Sequence, residues 1–200
     1  MKLPKKNLLV TGGAGYIGSK FSYDALDNGF NVIIVDNLST GFKKLIPRKS
    51  IFYNCNLNNK SKIDEILKKH NITSVVHFAG SLSVKESMSN PLKYYNNNSI
   101  LTQNLINLCV KNNIHNFIYS STAAVYGNSK YLISEKSKCI PTSHYGMSKL
   151  LAEKLLINEK KKNNFSLGIL RYFNVIGADV RLRTGLINNN DSLLSNLVRQ

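Results

Sequence analysis

A short apolar run, Asn7-Leu8-Leu9-Val10-Thr11, leads directly into Gly12-Gly13-Ala14-Gly15-Tyr16-Ile17-Gly18, and a helical stretch follows to about Asn28. Glycines at 12, 15 and 18 form a G-x-x-G-x-x-G turn between a strand and a helix. Each glycine has a separate physical reason. The first lets the chain turn tightly off the strand. The second lets backbone N–H groups approach a pyrophosphate, and the third lets the helix pack closely on the sheet. Unpaired N–H groups and the helix dipole then favour an anion at the helix start. A chain that opens this way is committed to a strand-turn-helix unit with phosphate-binding character.

The rest of the chain repeats that alternation. Strand-like apolar runs lie at Asn31–Val35, Ile51–Cys55, Ser74–Ala79, His115–Ser120 and Ser166–Leu170. Between them, Lys60–His70 carries Ile63, Ile66 and Leu67 at helical spacing. Pro91–Val110 reads as one long helix with Pro in its first turn and Ile100, Leu101, Leu105 and Leu108 toward the core. Tyr145–Lys162 reads as another, with Leu150, Leu151, Leu155 and Leu156. Strands apolar on both faces, each followed by a helix, predict a parallel sheet covered on both sides. The fold class expected is α/β, a doubly wound, Rossmann-like domain over residues 1–172. Residues 173–200 are loop-like, with Asn188-Asn189-Asn190 and an Asp191 able to cap a further helix. They are expected to begin a substrate region most of which is missing from the chain.

Composition excludes other classes. The 200 residues hold 42% hydrophobic and 19% charged residues, which suits a packed core rather than a disordered chain. The 3 cysteines, Cys55, Cys109 and Cys139, are odd in number, far apart and without a C-x-x-C pair, so neither a disulfide framework nor a zinc site is expected. The 4 histidines are scattered through elements and make no metal site. No apolar run is long enough to cross a membrane, and the basic start is followed by too short an apolar piece for a signal peptide. A cytoplasmic protein is expected. The net charge of +16 is carried mostly by Lys dispersed over solvated faces, with little Arg and no aromatic interleaving. Non-specific attraction of anions follows, but no dedicated nucleic-acid role.

Two further features carry chemistry. Asp36 ends the second strand, 18 residues after Gly18. A carboxylate there accepts from ribose hydroxyls and repels a 2′-phosphate, so NAD is expected rather than NADP. Tyr145 and Lys149 stand at i and i+4, on one face of a helix. An ammonium beside a phenol favours the phenolate, which lets Tyr145 act as a base or acid near neutral pH. The strand ending Ile118-Tyr119-Ser120 runs into Ser121 and Thr122, placing hydroxyls at the carboxyl end of the sheet.

These residues resemble the extended short-chain dehydrogenase/reductase (NAD-dependent epimerase/dehydratase) family, and within it the UDP-glucose 4-epimerase subgroup. The stretches that carry the resemblance are TGGAGYIGS (11–19), VDNLSTG (35–41), VVHFAG (75–80), KESMSNPLKYYNNN (85–98), SSTAAVYG (120–127), HYGMSK (144–149), RYFNVIGAD (171–179) and LRTGLI (182–187). The resemblance implies an NAD pyrophosphate over Gly12, Gly15, Tyr16, Ile17 and Gly18. It implies Asp36, Asn37, Leu38 and Ser39 at the adenosine ribose, and Asn56 and Leu57 near the adenine. Phe78, Ala79, Gly80 and Asn97 would line the cofactor. Tyr145 would be the base, Lys149 its partner at the nicotinamide ribose, and Thr122 the group that binds the sugar's 4-hydroxyl. Phe173 and Asn174 would meet the nicotinamide end and the substrate phosphate.

The activity implied is inversion of C4 in UDP-glucose and UDP-galactose through a 4-keto intermediate. Related dehydratases carry an acidic pair after the Ser/Thr strand end; Ala123-Ala124 stands there, so elimination of water lacks its acid and base. Asn56 replaces an Asp common in relatives, and Leu82 stands where some relatives carry a cofactor-contacting Lys. The resemblance also implies a homodimer built on the Pro91 helix and the Tyr145 helix. The competing reading is an NAD-binding module without catalysis; a sensor of that kind has no use for Thr122, Tyr145 and Lys149.

Overall fold

β1 (Asn7–Thr11) is apolar on both faces, and that places it inside the sheet: Leu8 and Val10 point to one side, Leu9 to the other, all buried. The computed structural model describes residues 6–163 and 165–187, so the expectations for Asn188–Asn190 and Asp191 lie outside the described residues. β2 (Asn31–Asp36), β3 (Ile51–Asn54), β4 (Ser74–His77), β5 (Asn116–Thr122) and β6 (Ser166–Tyr172) complete a parallel six-stranded sheet in the order β3-β2-β1-β4-β5-β6. The order reverses between β1 and β4. The loops after those two strands therefore leave in opposite directions and open a crevice at the carboxyl edge of the sheet. The doubly wound α/β expectation holds, and each predicted strand lies within about two residues of its expected bounds.

Helices cover both faces. α1 (Tyr16–Asp27) lies on one side, over Leu8, Val10, Val32, Ile34 and Val76. α2 (Lys60–Lys69), α5 (Leu101–Lys111) and α6 (His144–Lys162) lie on the other, over Leu9, Ile33, Val35, Val75 and Phe117. α2 shows how the pattern becomes structure. Asn59 caps it by accepting from the Lys62 N–H at 3.0 Å, and Ile63, Ile66 and Leu67 are all buried. Each such side chain contributes roughly 1.5–3 kcal/mol on burial. The structure adds α3 (Val84–Ser89) and two short 3-10 turns, Lys43–Leu45 and Ala123–Tyr126, that periodicity does not signal.

The long helix after Pro91 is not uniform. α4 (Pro91–Tyr94) passes into a π-helical segment, Tyr95–Ile100, before α5 begins. The wider turn rotates the apolar seam. Ile100, placed toward the core by α-helical spacing, is 54% exposed instead, and Leu101, Leu105, Ile106 and Cys109 form the buried stripe.

His77 ties β1 and β4 to α5. The Thr102 hydroxyl donates to the Asn98 carbonyl at 2.7 Å, so its oxygen accepts from His77 Nε2 at 2.8 Å. Nδ1 then accepts from the Thr11 hydroxyl at 2.6 Å. A fully satisfied, fully buried imidazole is held neutral. Burial, with the nearby Lys149 charge, pulls its pKa from 6.5 down to about 3. The unfolded chain binds a proton below pH 6.5 that the folded chain refuses, so stability is lost as pH falls from 6.5 toward 3. The slope from this one group is at most ~1.4 kcal/mol per pH unit. Urea denaturation at a series of pH values between about 7 and 4 checks this: His77→Gln should flatten the dependence, and unchanged slopes would remove His77 from the account.

Candidate active site

The turn after β1 is built for close approach. Gly12 has φ +71°, and a Cβ there would lie 2.6 Å from the backbone nitrogen of Ala79, in the loop after β4. A Cβ on Gly18 would lie 2.2 Å from the Gly12 carbonyl oxygen, so α1 can pack on the turn only with glycine there. Gly15 precedes the helix with no side chain capping the first turn. The first-turn N–H groups are thus left for a ligand. Gly12, Gly15, Tyr16 and Ile17 line this cradle, and its shape and its donor groups fit a pyrophosphate.

Asp36 stands at the end of β2 and is 9% exposed. Its carboxylate accepts from Ala14 N–H at 3.0 Å and from Leu38 N–H at 2.8 Å, so it ties the glycine turn to the loop after β2. Leu38 takes φ 58°, a left-handed conformation that this carboxylate helps to hold. Two oxygens carry about four acceptor positions, which leaves room for ribose hydroxyls. Asn37 accepts from Ser39 N–H at 3.0 Å, and both are exposed beside it. After β3, Leu57 is buried while Asn56 is exposed, and its amide oxygen accepts from Asn58 N–H at 3.0 Å.

The tyrosine-lysine pair meets the same crevice. Ser143 caps α6 by accepting from Gly146 N–H at 3.1 Å, fixing the first turn that carries Tyr145. Tyr145 is 9% exposed and stacks edge-on against Tyr94, with centroids 6.3 Å apart. Burial raises its pKa, and the Thr122 hydroxyl works in the opposite direction. This corrects the expectation from spacing alone: burial of the phenol, rather than the neighbouring ammonium, sets the direction in this structure. Lys149 is buried. Its ammonium donates to the Ser120 carbonyl at 2.9 Å and lies 5.0 Å from the Tyr119 ring centre. Desolvation draws its pKa down to about 8, against the opposing influence of Glu153.

Gly80 links the two halves: a Cβ there would fall 2.7 Å from Asn98 Oδ1 and 3.3 Å from Lys149 Nζ. Phe78 and Ala79 flank it on the loop after β4, and Asn97 donates to Ser81 Oγ at 3.0 Å. Gly12 to Gly18, Asp36, Ala79, Gly80, Thr122, Tyr145 and Lys149 therefore share one crevice at the carboxyl edge of the sheet. Phe173 and Asn174 follow β6 and are both exposed. The segment after them returns along α1: Tyr16 donates to the Gly177 carbonyl at 2.6 Å, and buried Asp179 pairs with Arg183 at 2.7 Å.

Asn98 is a residue that sequence reasoning missed. It donates to the Ser81 carbonyl at 3.1 Å and to Ser148 Oγ at 3.0 Å, and accepts from Ser81 N–H at 2.8 Å. Its signal was three consecutive asparagines inside an apolar helix, where asparagine is otherwise unfavourable.

The NAD dependent epimerase/dehydratase family model matches residues 8–200. The chain is 39% identical over 179 residues to the UDP-glucose 4-epimerase of Azospirillum brasilense, covering 89% of this chain and 51% of that protein. It is 37% identical over 194 residues to that of Halalkalibacterium halodurans, covering 96% and 58%. The fold superimposes on the Brucella ovis UDP-glucose 4-epimerase solved in complex with NAD, with TM-score 0.90, 35% identity, and 94% of this chain against 58% of that one. The Bifidobacterium longum UDP-glucose 4-epimerase, solved with NAD+ and UDP, gives TM-score 0.86 at 33% identity, with 90% and 57% covered. The chain spans about half the length of the curated relatives it matches. A parallel sheet with a glycine cradle at its switch point, a tyrosine-lysine helix beside it and a family match along nearly the whole chain lead to one conclusion: this chain belongs to the NAD dependent epimerase/dehydratase family.

Proposed function

We propose that this chain is the cofactor-holding part of a UDP-hexose 4-epimerase that interconverts UDP-glucose and UDP-galactose and uses NAD. The observation that carries the reading is the convergence of Thr122, Tyr145 and Lys149 beside the glycine cradle, with Ala123-Ala124 in place of an acid-base pair. NAD, when bound there, would supply reversible hydride exchange at C4 of the sugar. Every other task falls to the chain. Gly12, Gly15, Tyr16 and Ile17 hold the pyrophosphate, Asp36 the adenosine ribose, and Phe78 to Gly80 with Asn97 the wall of the cleft. Tyr145 Oη takes the proton of the 4-hydroxyl and later returns it. Thr122 Oγ1 holds that oxygen, and its hydrogen bond to the phenol lowers the cost of the phenolate. Lys149 brings a positive charge to the same face of α6, and Asn174 meets the substrate phosphate.

Cys55, Cys109 and Cys139 are all unpaired, which suits the reducing cytosol. Among the described residues, no helix is long and apolar enough to cross a membrane. Ile100, the last residue of the π-helical segment before α5, and Met147 and Leu151 on α6 are exposed and apolar, and they supply the surface for a homodimer through these helices. Sedimentation should give twice the chain mass, and Leu151→Glu should shift the protein to monomer; a monomeric wild type would overturn the dimer.

Asp36 predicts cofactor choice. Like charges brought together cost several kcal/mol, so calorimetry should show NAD binding roughly 10²-fold tighter than NADP. Equal affinities would remove Asp36 from that role.

Tyr145→Phe keeps the ring that packs on Tyr94 and deletes the proton-carrying oxygen. In a chain extended with the C-terminal half of one of these relatives, it should lower UDP-galactose conversion by ~10²–10⁴-fold. NAD affinity should stay within about threefold of the parent, because the ring is retained. Near-parental turnover would sink the proposed base.

A further inference from the structure

Glu153 is a buried carboxylate that none of the roles above uses. It follows Lys149 by one turn and Tyr145 by two, so the three share a face of α6. Its side chain is 1% exposed. Ser121 Oγ donates to its Oε1. Arg171 grips it with Nε at 3.0 Å from Oε1 and Nη2 at 2.6 Å from Oε2. The guanidinium is itself fixed, because Nη1 donates to Tyr126 Oη at 2.8 Å and the group lies 4.9 Å from that ring centre. Ser121 and Arg171 are register partners on β5 and β6. One carboxylate thus ties α6 to both strand ends.

The position on β5 matters. Ser121 lies between Ser120, whose carbonyl accepts from Lys149, and Thr122, whose hydroxyl serves Tyr145. We infer that Glu153 is a positioning residue, which clamps the carboxyl end of β5 to α6 and supplies the counter-charge that keeps Lys149 an ammonium. The titratable groups packed around Lys149 are His77 from β4, Tyr119 from β5, and Tyr145 and Glu153 from α6, with Arg171 of β6 paired to Glu153. His77 is held neutral, and burial pushes both phenols up. Among the described residues, Glu153 is then the anion that opposes desolvation of the Lys149 charge. Removing it would leave the buried cation with only the Ser120 carbonyl and the Tyr119 ring to offset its desolvation.

The inference rests on the epimerase reading only for what Lys149 does in turnover, so the test reads Lys149 itself. The chain is labelled with lysine carrying 13C at Cε and titrated by NMR, with Lys149 assigned through Lys149→Met. The parent resonance should titrate near 8. Glu153→Gln should move the midpoint down by about 1 pH unit, and Glu153→Asp should restore most of it. Should Glu153→Gln leave Arg171 too destabilised to fold, Glu153→Gln/Arg171→Gln removes both charges and should still lower the midpoint. Ser121→Ala, which keeps the ion pair, should speed amide exchange at Thr122 and Ala124 by about fivefold without moving the midpoint. A Lys149 midpoint unchanged in the Gln variants, or unchanged exchange in Ser121→Ala, would overturn the inference. Neither readout needs turnover, so a chain inactive on UDP-sugars leaves the test intact.

Discussion

A lysine ammonium 2% exposed to solvent is the demand around which the carboxyl end of β5 and the start of α6 are arranged. Moving such a charge out of water costs several kcal/mol unless partners replace the solvent. The Ser120 carbonyl accepts one hydrogen bond, the Tyr119 ring offers its face, and Glu153 opposes the charge from the next turn. Two of these groups come from β5 and the third from α6 itself. The carboxyl end of β5 therefore cannot move relative to α6 without exposing or orphaning a charge. Thr122, two residues beyond Ser120 on β5, inherits that rigidity. So does Tyr145, one turn before Lys149 on α6.

The other half of the crevice depends on a steric constraint. Gly12 brings the β1 turn against the backbone of Ala79, and no side chain fits between them. Because β1 and β4 are neighbours in the sheet, this contact joins the glycine turn to the loop that carries Gly80. Gly80 in turn lies against Asn98 and Lys149. His77, at the end of β4, anchors the same region from below through Thr11 and Thr102. The π-helical segment Tyr95–Ile100 delivers Asn98 to Ser81 and Ser148 at once. A buried amide with three satisfied hydrogen bonds is stabilising, whereas the same amide left unpaired would cost about 1–3 kcal/mol. These hydrogen bonds hold the wider turn against the Ser81 loop and α6.

Much was legible in the amino-acid sequence because it is local. The glycine spacing at 12, 15 and 18 required a strand-turn-helix unit, and the apolar runs required a parallel sheet covered on both faces. Asp36 and the Tyr145–Lys149 spacing marked side chains that meet at the carboxyl edge of the sheet, since periodicity fixes which side chains share a face. What sequence could not decide was how partners distant along the chain meet. The exposure of Ile100 depends on a π turn, which obeys no pattern of hydrophobic spacing. The direction of the Tyr145 shift depends on burial, a property of the packed interior and not of the i, i+4 interval. Glu153 stood in plain view one turn beyond Lys149, but its partners Ser121 and Arg171 are 32 and 18 residues away. Only the pairing of β5 with β6 under α6 brings them to one carboxylate. Short-range sterics and helical or strand periodicity act along the chain and can be read from it; desolvation and charge pairing act across space and exist only once the sheet has closed.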